Sequence, residues 1–150
     1  MRGQFAGGRV DLDNAISFAI RVAYERIRVT FYRELHDQRL SVTPEQWVVL
    51  VLLWAKDGRR PSELSEQALR DRPTMTRILD TMQRNGLVKR MPAADDRRVR
   101  VIRLTARGRA LRVPLTARVR AIVRRIERGI PDADLRVTRR TLIRIVGNLA

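Results

Sequence analysis

The sequence predicts a mainly α-helical chain with one small β-hairpin, a helix-turn-helix unit whose hairpin forms a wing, flanked by long N- and C-terminal helices. Three observations carry that expectation. Apolar residues recur every three or four positions through most of the 150 residues. Proline and glycine stand where helices would start and stop. One stretch, 87–104, changes to the shorter period of paired strands. The length suits one domain, 1–150, with 43–104 as the winged part and 11–37 and 105–150 as the flanking helices.

Residues 11–37 read as a long helix. Leu12, Ile16, Ile20, Ala23, Ile27, Phe31 and Leu35 form its apolar stripe, and Asp11 or Asp13 suits its positive dipole end. Thr43-Pro44-Glu45-Gln46 is a clear helix start: Thr43 caps, Pro44 takes the first helical position, and Gln46 closes a capping box. The run 47–55 is apolar almost all round, so this helix is expected to be central and buried, ending at Gly58 in a left-handed conformation. A short helix over 61–69 follows, with Ser62 as its cap and Leu64, Ala68 and Leu69 facing inward. After a turn at 70–72, Pro73-Thr74 opens another helix whose buried stripe is Ile78, Leu79 and Met82, closed by Asn85-Gly86.

Strands over 87–91 and 99–104 enclose a polar loop at 92–98. Thr105 caps a third long helix with the stripe Leu111, Leu115, Val119, Ile122 and Ile126, which Pro114 should bend or interrupt. Gly129 and Pro131 mark a break. Asp132 or Asp134 then starts a last helix bearing Leu135, Leu142, Ile145, Val146 and Leu149. No internal repeat or low-complexity tract is visible.

Charge narrows the function. Lys+Arg total 32 against 16 acids, a net +16, and only Lys56 and Lys89 are lysine. Compositional drift in a GC-rich genome would swap lysine for arginine, but it would not remove acids. Over 97–128 a single acid, Glu127, faces twelve arginines. Such an excess suits a polyanion, without separating DNA from RNA. Zero cysteines exclude a disulfide scaffold, a thiolate zinc site, a cysteine nucleophile and a thiol redox switch within this sequence. The one histidine, His36, suits a helix C-terminus and leaves no material for a His-rich metal site.

Glycines break the N-terminus where a secretory apolar region would run, and 47–55 falls short of the roughly 20 residues of a membrane span. A cytoplasmic protein without a membrane partner is expected. No phosphate-loop, HExxH or GxSxG motif is present, and Asp95-Asp96 is crowded by arginines that would repel a cation. Neither an enzyme nor a cofactor is expected.

The helix pair over 61–85 is thus a helix-turn-helix, and the hairpin over 87–104 its wing. A second helix of this kind fits the roughly 12 Å major groove of B-DNA, while an arginine-bearing loop reaches the adjacent minor groove. Thr74-Met75-Thr76-Arg77-Ile78-Leu79-Asp80, Asn85-Gly86-Leu87-Val88-Lys89-Arg90, Asp95-Asp96-Arg97-Arg98 and Leu104-Thr105-Ala106-Arg107-Gly108 stand in register. Together, across 43–111, they resemble the MarR family of bacterial transcriptional regulators: a recognition helix, a GLV-x-R strand, a D-x-R wing and an LT-x-x-G helix start. The resemblance implies a homodimer with interlocked terminal helices and two winged parts on a pseudo-palindromic operator. It further implies repression relieved by a small, often aromatic or phenolic, ligand in a cleft between the dimerisation and winged parts.

Thr74, Met75, Thr76 and Arg77 fall in the first turns of the reading helix and off its expected core stripe. Base-edge contact is expected of Thr76 and Arg77, with Met75 or a threonine methyl against thymine, in preference to a merely solvated face. Arg97 and Arg98 match the family's minor-groove arginine and Asp96 the acid that orients it; the alternative is a solvated turn with a weak rim salt bridge. Ser62, Ser65, Arg59 and Arg60 lie where hydroxyls and N–H groups can hold phosphate, although capping explains Ser62 as well. Phe31 and Trp47 lie on the elements that line the effector cleft in the family, and core packing is their plainer role.

The flanking stripes cannot all cover a winged unit this small. Leu12, Ile16, Ile20, Leu142, Val146 and Leu149 are therefore expected to bury against a symmetric partner. The competing function is a basic RNA- or nucleoid-associated structural protein. RNA readers commonly stack bases on exposed aromatics, and aromatic residues are only 5% here, mostly within apolar stripes.

Overall fold

The computed structural model describes residues 4–5, 8–9, 15–35, 41–94 and 96–149. Two-residue strands β1 (Gln4–Phe5) and β2 (Gly8–Arg9) pair antiparallel, then come α1 (Ile16–Leu35), α2 (Pro44–Ala55), α3 (Pro61–Gln67) and α4 (Arg72–Arg84). The hairpin β3 (Val88–Pro92) and β4 (Arg100–Leu104) leads into α5 (Ala106–Ala110), α6 (Arg112–Ile126) and α7 (Asp132–Asn148). The β1–β2 pair is not anticipated by the sequence pattern. Asp11, Leu12, Asp13, His36 and Asp95 lie outside the described residues.

The capping box at α2 forms as expected: Thr43 Oγ1 accepts from the Gln46 N–H at 3.3 Å, and Gln46 Oε1 accepts from the Thr43 N–H at 3.2 Å. The helix is not buried all round, however. Gln46, Val49, Leu50 and Leu53 face the core, while Val48 and Val51 are each 40% exposed. The side bearing Val48 and Val51 finds too few apolar neighbours among the described residues to be covered. Past Lys56 the chain turns at Gly58, φ +78°. Asp57 holds that turn, its carboxylate accepting from the N–H of Gly58 at 3.0 Å and of Leu104 at 2.9 Å and pairing with Arg109 at 3.0 Å.

Two expectations about α3 are corrected. Its cap is Arg60, whose N–H donates to Glu63 at 2.7 Å with Pro61 next, so Ser62 sits inside the first turn. Leu69 is 86% exposed at φ +51°, because the helix has ended and the left-handed turn swings its side chain outward. Helix α4 begins one residue before Pro73, capped by Asp71, which accepts from the Thr74 N–H at 2.8 Å.

In the hairpin Val88 pairs with Leu104 and Pro92 with Arg100. Backbone bonds between Arg59 and Ile102 (2.8 Å) and Gly58 and Ile102 (3.1 Å) add a third short edge to β4. Thr105 Oγ1 accepts from the Gly108 N–H at 3.0 Å and donates to the Gly86 carbonyl at 2.6 Å. Gly108 is buried against the Leu87 carbonyl, with which any Cβ would collide. This is the physical reason for glycine in the LT-x-x-G stretch. The long helix breaks at Leu111, three residues ahead of Pro114, since the proline cannot donate to the Ala110 carbonyl and its ring would clash with it.

One core joins Leu35 of α1, α2, Leu64, the inner face of α4, the hairpin's Ile102 and Leu104, and Leu115 and Ile122 of α6. Helices α1 and α6 are tied by Arg118, which donates to the Glu34 carbonyl at 3.1 Å, and by the Arg125–Glu34 pair at 3.1 Å. No residue of α7 is buried, and Val146 is 67% exposed. Among the described residues no helix is long and apolar enough to cross a membrane.

Candidate nucleic-acid interface

Helix α4 presents two unlike faces. Met75, Leu79 and Met82, at i, i+4 and i+7, point into the core. Met75 is 1% exposed, which corrects its assignment to a base-contacting surface. The helix starts one residue earlier than expected and Met75 opens the same stripe as Leu79 and Met82. Thr76 and Arg77 stand on the exposed side. The Thr76 hydroxyl donates to the Arg72 carbonyl at 2.9 Å, which orients its methyl and oxygen lone pairs outward. The half-buried Thr74 donates to the Asp71 carboxylate at 2.8 Å. Its N–H bond first and this hydroxyl second hold the Asp71 carboxyl below the usual carboxylate range.

The reading helix is clamped to the wing. Arg90 of β3 pairs with Asp80 at 2.7 Å and donates to Gln83 at 2.9 Å. Its position in the GLV-x-R stretch was the one sequence hint of this role. At the wing tip Asp96 accepts from the Arg98 backbone N–H at 2.9 Å, and the Val99 N–H donates to the Asp96 carbonyl at 3.0 Å. Among the described residues Asp96 meets no guanidinium; it shapes the turn through the backbone N–H of Arg98, which corrects the side-chain pairing that the resemblance implies. Arg97 and Arg98 are exposed on that turn.

Of the phosphate candidates, Ser62 and Arg60 are exposed at the start of α3, whereas Ser65 is buried. Arg59 is also removed from that set. Its guanidinium donates to the carbonyls of Leu52 (3.1 Å) and Lys56 (3.2 Å) and to Gln67 (2.9 Å), replacing the missing partners at the end of α2.

Phe31 and Trp47 come together at one cavity. They line a cavity of about 310 Å³ with Tyr24, Ile27, Met75 and Ile78, with Arg28, Arg70 and Glu45 as its charged groups. Tyr32 donates to Glu45 at 2.8 Å, and Arg28 lies 5.7 Å from the Tyr32 ring centre. The bond to Glu45 and then burial raise the Tyr32 pKa. Burial pushes the Glu45 carboxyl up. Hydrogen bonds from Tyr32, its own backbone and Thr43, with Arg70 nearby, outweigh that and hold it below the usual range. Glu45, Arg70 and Ile78 also line a neighbouring cavity of about 530 Å³, which reaches Thr74 and Arg77. The aromatic cavity and the exposed edge of α4 therefore share a wall. Sequence periodicity could not show this tie or the Asp57 hub, because each joins elements far apart in the chain.

Residues 42–99 match the model of the MarR family. The homoprotocatechuate degradative operon repressor of Escherichia coli is 32% identical over 116 residues, covering 77% of each chain. The organic hydroperoxide resistance transcriptional regulator of Bacillus subtilis is 32% identical over 101 residues, covering 67% of each. Among solved structures, CouR from Rhodococcus jostii RHA1 bound to p-coumaroyl-CoA superposes with a TM-score of 0.78 at 27% identity, covering 89% of this chain and 93% of that one.

Proposed function

This chain belongs to the MarR family of DNA-binding transcriptional regulators, and from that premise we propose a cytoplasmic homodimeric repressor that reads a pseudo-palindromic operator. Two protomers pair through the flanking helices α1 and α5 to α7, and each 43–104 unit sets α4 in the major groove and its wing tip in the minor groove. The observation that carries this reading is the contrast within the winged unit. Arg59 and Arg90 are engaged by carbonyls and a carboxylate. The guanidiniums of Arg77, Arg97 and Arg98 make no hydrogen bond or ion pair among the described residues, and all three are exposed.

Thr76 and Arg77 read base edges, Arg97 and Arg98 probe the minor groove from a turn shaped by Asp96, and Ser62 holds a backbone phosphate. Thr74 supports the start of the reading helix. Trp47 and Trp54 pack edge to face at 5.6 Å within the fold, away from any position suited to stacking unpaired bases. The cavity bounded by Phe31 and Trp47 takes a small aromatic effector, whose entry moves Ile78 and Arg70 and through them α4.

Selection of bound sequences from random duplex DNA tests the reading. An inverted repeat preferred over its scrambled competitor is the expected result. Equal retention of all duplexes would overturn it.

A further inference from the structure

The charge of this protein is in the wrong place for a molecule that touches DNA only through its winged unit. From Thr105 onward twelve arginines face three acids, which is +9 of the net +16, and after Asp134 there is no acid. Arg136, Arg139, Arg140 and Arg144 of α7 are all exposed and make no hydrogen bond or ion pair among the described residues. At about 100° per residue they share an arc of roughly 140°, opposite the stripe of Leu135, Leu142, Ile145 and Val146. Solvated helix faces usually alternate charge so that neighbours at i and i+4 attract. Here Arg136, Arg140 and Arg144 repel one another at that spacing. The helix dipole does not account for them either, because the last turn of α7 holds no basic residue. Asp132, one turn ahead of Arg136, is the one acid on this arc and makes no ion pair with it; four arginines against that single acid leave a row of like charges for an external counter-ion.

We propose that the arginine face of α7 is a second binding surface for double-stranded DNA, so that the protein holds a further duplex besides the one read by α4 and the wing. The inference rests on the dimer reading above, in which the apolar stripe of α7 is covered by the partner protomer and the arginine face turns outward. That placement favours a duplex over a lipid surface, since membrane binding by an amphipathic helix needs the apolar face. Arginine forks pair phosphates bidentately. From Arg136 to Arg144 the helix rises about 12 Å, against roughly seven phosphate charges on the same length of duplex.

The test has two arms. In the first, a biotinylated duplex carrying the selected operator is immobilised, loaded with the full chain and offered a fluorescent duplex of scrambled sequence. The native protein retains the second duplex. The variant R136Q/R139Q/R140Q/R144Q, whose glutamines keep helix propensity, loads equally and releases it, with the slope of log retention against log salt reduced by up to about 4 per engaged helix. In the second arm, R77A/R98A weakens the reading head, and the remaining duplex binding is removed by adding the four glutamines. A chain that shows no operator preference but still loses duplex retention with the four glutamines supports the surface while refuting the operator reading. A loaded protein that captures no second duplex, a glutamine variant that captures as much as the native chain, or capture of phosphatidylglycerol vesicles in place of DNA overturns it.

Discussion

At the scale of single residues, α4 separates stability from recognition within three consecutive positions. Met75 is sealed in the core beside Leu79, so Met75→Ala is expected to cost about 2–5 kcal/mol of stability and to leave the ratio of operator to random binding unchanged. Arg77→Ala is expected to do the reverse: unaltered urea unfolding, and a loss of about 1–3 kcal/mol on the operator with much less on random DNA. Equal losses on both duplexes would make Arg77 a phosphate contact. At the wing, Arg98→Ala should weaken operator binding and lower its salt slope by about 1, and unchanged affinity would refute the wing assignment. Two glycines give a control on the backbone. Gly108 abuts the Leu87 carbonyl, so Gly108→Ala forces β3 and α5 apart and should lower the unfolding free energy by about 1–3 kcal/mol. Gly86 needs its glycine for φ +68° alone and has open space around its Cα, so Gly86→Ala should cost about 1 kcal/mol.

At the scale of elements, the orientation of α4 depends on two carboxylates held in their charged form. Asp71 caps the helix and Glu45 ties α2 to Tyr32 of α1, and both pKa values are lowered by those bonds. A carboxyl with a lower pKa folded than unfolded adds stability above its ordinary range and loses it as pH falls through the folded value. The urea midpoint is therefore expected to fall on acidification below the ordinary Glu and Asp values of 4.5 and 3.8. Asp71→Asn keeps a capping side chain but removes its titration, so it should flatten part of that acid loss, whereas Asp71→Ala should weaken α4 at every pH. An acid loss identical in the native chain and the Asp71→Asn variant would detach Asp71 from it. This tier also shows what a sequence makes legible. Caps, prolines and periodic stripes act within a few residues, and they place α1 to α4, α7 and the hairpin to within a few positions, while reading α5 and α6 as one helix that Pro114 bends or interrupts. Ser62 and Leu69 depart from the pattern for local reasons: α3 is capped at Arg60, two residues ahead of Ser62, and it ends before Leu69, which the left-handed turn directs outward. Arg59, Asp57, Arg90 and the Tyr32–Glu45 bond join segments that only the folded chain brings together. Their residue types alone gave no hint of partner.

At the scale of the whole molecule, a protomer by itself leaves too much apolar surface uncovered. Val48 and Val51 of α2, Ile16 and Val22 of α1 and Leu142, Ile143 and Val146 of α7 are all well exposed, although each belongs to a helix whose other face is polar or packed. Helix α7 is 17 residues long without one buried side chain, whereas helices in proteins draw most of their stability from packing an amphipathic face. In the homodimer proposed above a second protomer supplies the missing cover, and the interface then carries an electrostatic signature. Each chain bears +16, so pairing brings two strongly positive bodies together and added salt screens their repulsion, with a Debye length of about 8 Å at physiological ionic strength. Salt should therefore tighten the dimer while it loosens DNA. The two opposed trends separate assembly from binding in one titration series. Sedimentation at micromolar concentration is expected to show a dimer that becomes more stable from low to moderate salt. Leu142→Asp with Val146→Asp should give a monomer that has lost α7 helicity in circular dichroism and binds the operator far more weakly, because two reading heads no longer act as one ligand. A folded, stable native monomer under those conditions, with α7 fully helical, would refute the pairing and with it the two-headed geometry proposed for the operator.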